Sequence, residues 1–85
     1  MEVVDFAFSP QVVRVAVGSE VTYRNRDAAS HTVTQGRDGV AAERSAFDLA
    51  LPPGAAVSVR FARAGTISVT CLLHPTMNQV VEVVP

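Results

Sequence analysis

Residues able to hold a soft metal ion are scarce in this chain, and nearly all of them stand together. Residues 71–77 read Cys71-Leu72-Leu73-His74-Pro75-Thr76-Met77, and the other histidine, His31, lies 40 residues before Cys71. The chain holds one cysteine, two histidines and two methionines, one of them Met1. A thiolate, two imidazoles and a thioether make the donor set of an electron-transfer copper site: a trigonal Cys-His-His plane with a long, weak axial methionine. Zinc also takes cysteine and histidine, but it seldom takes methionine. A Cys71 nucleophile activated by His74 is the enzymatic alternative. It lacks a nearby carboxylate to orient the base, and it leaves Met77 without a part. Taken singly, each residue has a plainer reading: a buried thiol, a solvated imidazole, a methionine filling the core. Their joint occurrence within so short a stretch is what favours a metal.

The elements around these residues read as strands. Glu2 to Phe8 reads as one strand, with Phe6 and Phe8 on one face and Asp5, Ala7 and Ser9 on the other. Val13, Val15 and Val17 alternate with Arg14 and Ala16, and Val21 and Tyr23 alternate with Glu20, Thr22 and Arg24. His31 to Thr34 reads as a short strand, Val57 to Phe61 as another, and Gln79 to Val84 as the last. Phe47 and Leu49 read as buried. Ile67, Val69 and Cys71 share one face of a strand over 66–71, which points the thiol toward the core at one end of the fold. Pro75 prevents the next residues from continuing as strand or helix, so 71–77 reads as a tight loop able to curl three side chains around one point. Gly18-Ser19, Pro52-Pro53-Gly54 and Ala64-Gly65 mark turns. Residues 35–46 show no clear period, with a turn of helix expected over Ala41 to Ala46. Seven to eight short strands separated by turn signals indicate an all-β, antiparallel Greek-key sandwich or barrel.

The length of 85 residues fits a single domain over 1–85. Hydrophobic content of 48% suffices for a core, and 18% charged residues is too few for a disordered chain. The net charge is −1, and all seven basic residues are scattered arginines. Nucleic acid and anionic membrane surfaces are therefore not the expected partners. A lone cysteine forms no internal disulfide and gives no sign of compartment. No leader of basic then apolar residues precedes the first strand, and no apolar run approaches the roughly 20 residues of a membrane span.

The chain resembles a cupredoxin, the small blue copper family that includes plastocyanin, pseudoazurin and amicyanin. Phe6-Ala7-Phe8-Ser9-Pro10, Val15 to Gly18, Val21 to Asp27, His31-Thr32-Val33, Leu51-Pro52-Pro53-Gly54, Phe61, Gly65 and Cys71 to Met77 carry the resemblance in the family's order. The Cys-x₂-His-x₂-Met spacing is that of amicyanin's short ligand loop. Tyr23 stands where the family often has tryptophan, and Ile67 and Val69 where it has aromatics. Gln79 stands where a glycine is common, and Thr32 where many members have an asparagine that bonds to the Cys loop; its hydroxyl is suited to a similar task. The resemblance implies one type 1 copper held by His31, Cys71, His74 and Met77, and one-electron transfer by Cu(II)/Cu(I) cycling without enzymatic turnover. It also implies an extracytoplasmic location, in a periplasm or at a cell surface. A transient redox protein is the expected partner of a monomer, docking on the apolar rim of His74 formed by Leu72, Leu73 and Pro75, with Ala28 and Ala29 extending it. A copper-delivery or storage protein, the electron-entry domain of a larger copper enzyme and a metal-free interaction module are the competing readings. The last of these requires that the four side chains do not converge.

Overall fold

A computed structural model describes residues 1–85. The chain forms ten strands and no helix: β1 (Glu2–Val4), β2 (Ala7–Ser9), β3 (Val12–Ala16), β4 (Ser19–Asn25), β5 (His31–Arg37), β6 (Val40–Ala41), β7 (Asp48–Leu51), β8 (Ala56–Phe61), β9 (Gly65–Cys71) and β10 (His74–Val84). They build two sheets. One runs β2-β1-β4-β8, and the other runs β3-β10-β9-β5-β6, with β7 also paired to β5. Most neighbours are antiparallel, but β1 with β4 and β3 with β10 are parallel.

The alternation read from the sequence is what the sheets use. In β4 the burial alternates until Tyr23 and Asn25 are fully enclosed, and in β10 Met77, Gln79, Val81 and Val83 face inward. Apolar residues from both inner faces, among them Phe8, Tyr23, Leu51, Phe61 and Val69, fuse into one core that includes Cys71 and Met77. Every buried side-chain nitrogen and oxygen has a hydrogen-bond partner, as a fold with so thin a stability margin requires.

Two expectations are corrected. Glu2 to Phe8 is not one strand: Asp5 and Phe6 turn the chain back at φ of 53° and 57°, and β1 pairs with β2 as a hairpin. Phe6 therefore does not share the inward face of Phe8; it is 49% exposed whereas Phe8 is 1% exposed. Residues 41–46 form no helical turn. Gly36 and Gly39 instead let β5 fold back onto β6 as a second hairpin. These two hairpins account for the strands beyond the seven to eight expected.

Two of the departures from the family pattern explain each other. Tyr23 carries a hydroxyl into the core, and that hydroxyl donates to Oε1 of Gln79 at 2.7 Å. The Gln79 amide then donates to the Pro10 carbonyl at 2.9 Å. A buried hydroxyl without an acceptor costs about 1–3 kcal/mol, and a glycine at position 79 would provide none. The pair also joins β4 of one sheet to β10 of the other. Burial pushes the Tyr23 hydroxyl well above the usual tyrosine range, so the folded state keeps its proton after an unfolded chain would release it. The stability this gives is complete below about pH 10 and is lost as pH rises toward the folded value. In an alkaline titration, phenolate absorbance from this single tyrosine is expected to appear only together with unfolding. Phenolate forming in the still-folded chain would contradict the assignment.

Candidate metal centre

Two segments distant in sequence deliver the donor atoms. Asn25, at the end of β4, is buried. Its amide donates to the carbonyls of Ala29 and Leu51 at 2.9 and 3.0 Å, and its Oδ1 accepts the Asp27 N–H at 2.8 Å. This side chain folds residues 26–30 into a compact loop that returns the chain as β5, whose first residue is His31. β5 pairs with β9 through Thr34↔Thr70, so His31 lies beside the end of β9, where Cys71 stands.

The segment after Cys71 is shorter than a loop. Leu72 and Leu73 make a two-residue turn, His74 pairs back to Cys71, and the ladder resumes only at Asn78↔Thr70. Pro75, Thr76 and Met77 bulge out between these pairs. Proline's missing N–H therefore removes no ladder hydrogen bond. The bulge is pinned by Thr70 Oγ1, which donates to the Met77 carbonyl at 3.1 Å, and by the Asn78 amide, which donates to the Pro75 carbonyl at 3.0 Å. It also rests on the β5–β6 turn: a Cβ at Gly39 would come within 2.9 Å of the Pro75 ring.

Three of the four expected donors converge. Nδ1 of His31 lies 3.1 Å from Nδ1 of His74, and Sγ of Cys71 lies 3.8 and 3.6 Å from the same two nitrogens. A triangle with these edges has its centre about 2 Å from each corner, the bond length of a transition metal to nitrogen or sulfur. Cys71 and His31 are buried, and His74 is half-buried. Met77 is buried in the adjoining core. A buried thiol flanked by two imidazole nitrogens fits copper by donor type.

The sequence profile of the copper-binding proteins of the plastocyanin/azurin family matches residues 1–84. The chain belongs to this family. No curated protein sequence matches it. Among solved structures it is similar to a reduced tryptophan-to-tyrosine variant of amicyanin at 29% identity, covering 96% of this chain and 77% of that one with a TM-score of 0.82. An oxidized proline-to-alanine variant of amicyanin matches at 30% identity with the same coverage and TM-score. A purple cupredoxin from Nitrosopumilus maritimus has the same fold at 23% identity, with a TM-score of 0.80 over 94% of this chain and 84% of that one. The chain is thus a cupredoxin: it carries one type 1 copper and transfers electrons.

Around the donors, this cupredoxin has a layer of hydrogen bonds that the sequence did not announce. Nε2 of His31 donates to Oδ2 of Asp27 at 2.8 Å. That bond leaves the Nδ1 lone pair of His31 facing the site. Burial works to raise the Asp27 pKa, but the N–H of Phe6, the His31 ring and the N–H of Asp5 together outweigh it and hold the carboxyl below its usual range. Asp27 was legible only as the last residue of the segment Val21 to Asp27. Phe6, whose ring packs edge-on against both imidazoles, was legible as a strand residue on the face of Phe8. Both stand among the residues that carry the family resemblance, and an acid four residues before His31 was a further signal for Asp27, but nothing local set either beside the site.

Thr32 performs the task expected of it. Its backbone N–H donates to Sγ of Cys71 at 3.3 Å, and its hydroxyl oxygen accepts the Leu72 N–H at 2.9 Å. The Thr34 hydroxyl donates to Oδ1 of Asp48 at 2.9 Å, so Thr32 must be the donor in the 2.9 Å bond between the two hydroxyls. The chain of hydrogen bonds from Asp48 to the residue after Cys71 therefore has a single direction. Thr32→Val leaves the Leu72 N–H without its acceptor but keeps the N–H to Sγ. Denaturant unfolding of the metal-free variant should show a loss of about 1–2 kcal/mol, with copper still bound. Unchanged stability would mean that the hydroxyl does not tie the loop.

Proposed function

We propose that His31, Cys71, His74 and Met77 are the four copper ligands, and that residues 1–85 act as one domain, a monomeric electron carrier outside the cytoplasm. The convergence of Sγ of Cys71 with the two Nδ1 atoms on one point supports this reading most directly. The Cys-x₂-His-x₂-Met order and the burial of Met77 support it as the fourth ligand.

Bound copper supplies the one-electron couple. Cys71 gives the thiolate, the strongest and most covalent donor, and the Thr32 N–H moderates its charge. His31 is held in one tautomer by Asp27. Met77, as the weak fourth donor, would tune the potential. Donors anchored by strand pairs and by side-chain hydrogen bonds move little when the charge of the site changes, which suits rapid electron exchange. The cupredoxins are electron carriers, and we read this chain as a carrier without catalytic turnover.

For the partner, we assign the face around His74. Leu73 is 57% exposed, and Leu72 and Pro75 flank it along the ligand turn. An exposed leucine next to a half-buried ligand ring suits a small, transient interface. No helix is long and apolar enough to cross a membrane, and the scattered arginines favour no nucleic acid. The placement outside the cytoplasm follows the habit of the family.

One equivalent of Cu(II) added to the purified chain should give an intense blue or green thiolate charge-transfer colour. The colour should disappear on mild reduction, return on reoxidation, and be absent in Cys71→Ala. Met77→Gln should keep the colour and lower the reduction potential, because an oxygen donor favours Cu(II) over Cu(I). A colourless wild type would overturn the ligand set. Cu(I) passed readily to a chelator, with no reversible redox cycle, would favour copper delivery instead.

A further inference from the structure

The β1–β2 turn carries a residue that backbone conformation alone disfavours. Asp5 and Phe6 both lie in the left-handed region, at φ of 53° and 57°. Two-residue turns of this kind normally use asparagine, aspartate and glycine, because a bulky side chain crowds the backbone at positive φ. A phenylalanine there gains little inside its own hairpin, since it remains 49% exposed. Strain retained beside a functional site points to a use for the side chain.

That use is visible in what the ring touches. Its centroid lies 5.2 Å from that of His31 and 4.8 Å from that of His74, with interplanar angles of 89° and 85°. His31 is otherwise secured by burial and by Asp27. His74 is not: it sits after a two-residue turn, and its hydrogen bonds run only through Nδ1, to the other two donors. The orientation of the His74 ring therefore rests on what packs against it. The turn bearing Phe6 is itself fixed, because Asp27 accepts the Asp5 N–H at 2.7 Å on Oδ1 and the Phe6 N–H at 2.9 Å on Oδ2. The same Oδ2 accepts Nε2–H of His31 at 2.8 Å.

We propose that Phe6 is a positioning residue for the copper centre: clamped over the site by Asp27, its ring holds the His74 imidazole in the metal-binding orientation before the metal arrives. The proposal rests on the ligand assignment above, with His74 as a copper ligand. It makes the centre preformed on its outer side, where only a turn of two leucines otherwise holds the ligand.

The test compares wild type with Phe6→Leu and Phe6→Gly. Glycine relieves the backbone at φ 57° but removes the ring, and leucine keeps apolar bulk without ring edges. Ring ¹³C relaxation of His74 in the metal-free proteins, with folding checked by thermal unfolding, should show order falling from Phe to Leu to Gly. Cu(II) affinity, measured against a competing chelator, should fall in the same sequence, by about tenfold for glycine, the weight of one aromatic contact. Equal ring order and equal copper affinity in all three would overturn the proposal. If wild type takes up no Cu(II), the ligand assignment fails by itself, and ring relaxation in the metal-free chains still decides whether Phe6 holds His74.

Discussion

The carboxylate of Asp27 collects three N–H groups from two separate parts of the chain. It takes the backbone of Asp5 and Phe6 from the β1–β2 turn and the ring of His31 from the start of β5. Its own backbone N–H is held by Asn25. A carboxylate that accepts several hydrogen bonds stays ionised well into acid, and that fixed charge in turn fixes each donor. His31 keeps its Nε2 proton and presents Nδ1 inward. The left-handed turn stays closed, and Phe6 stays over the imidazoles. Were this side chain shortened, the N-terminal hairpin and the His31 ring would both lose their anchor.

On the other side of the donors the constraint comes from the sheet. β9 brings Cys71 to the edge of the core, and β5 runs beside it, so the thiol and His31 are neighbours by strand pairing rather than by loop conformation. The threonines of β5 extend this control. Thr32 gives one N–H to the sulfur and takes another from Leu72, joining β5 to Cys71 and to the turn that follows it. Such a cage resists rearrangement when an electron is gained or lost. The outer face is softer: a two-leucine turn, the half-buried His74 and the ring of Phe6. A site stiff on the buried side and apolar on the open side suits an electron carrier that meets its partner briefly.

Much of this was legible in the sequence because it follows from period and from rarity. Alternation in β3, β4, β8, β9 and β10 gave the sandwich, and the phase of Ile67, Val69 and Cys71 gave the direction of the thiol. The scarcity of cysteine and histidine picked out the three side chains that converge, His31, Cys71 and His74. What escaped notice depends on contacts across the fold. Asp5-Phe6 reads as strand because neither residue is a glycine, and only the Asp27 carboxylate, some twenty residues away, makes the turn tenable. The partnership of Tyr23 with Gln79 spans the two sheets and leaves no mark in either strand's pattern. The β5–β6 hairpin escaped although Asp38-Gly39, both at positive φ, form its turn, because the residues on either side show no clear period.

The protein, not the ion, sets the shape of the centre. The direct measurement is a pair of high-resolution crystal structures, metal-free and copper-loaded. Sγ of Cys71 and Nδ1 of His31 and His74 should occupy the same positions in both, within about 0.5 Å, with the copper density inside their triangle and Met77 alongside. Imidazoles turned away from the sulfur in the metal-free crystal, or copper bound elsewhere, would contradict the account.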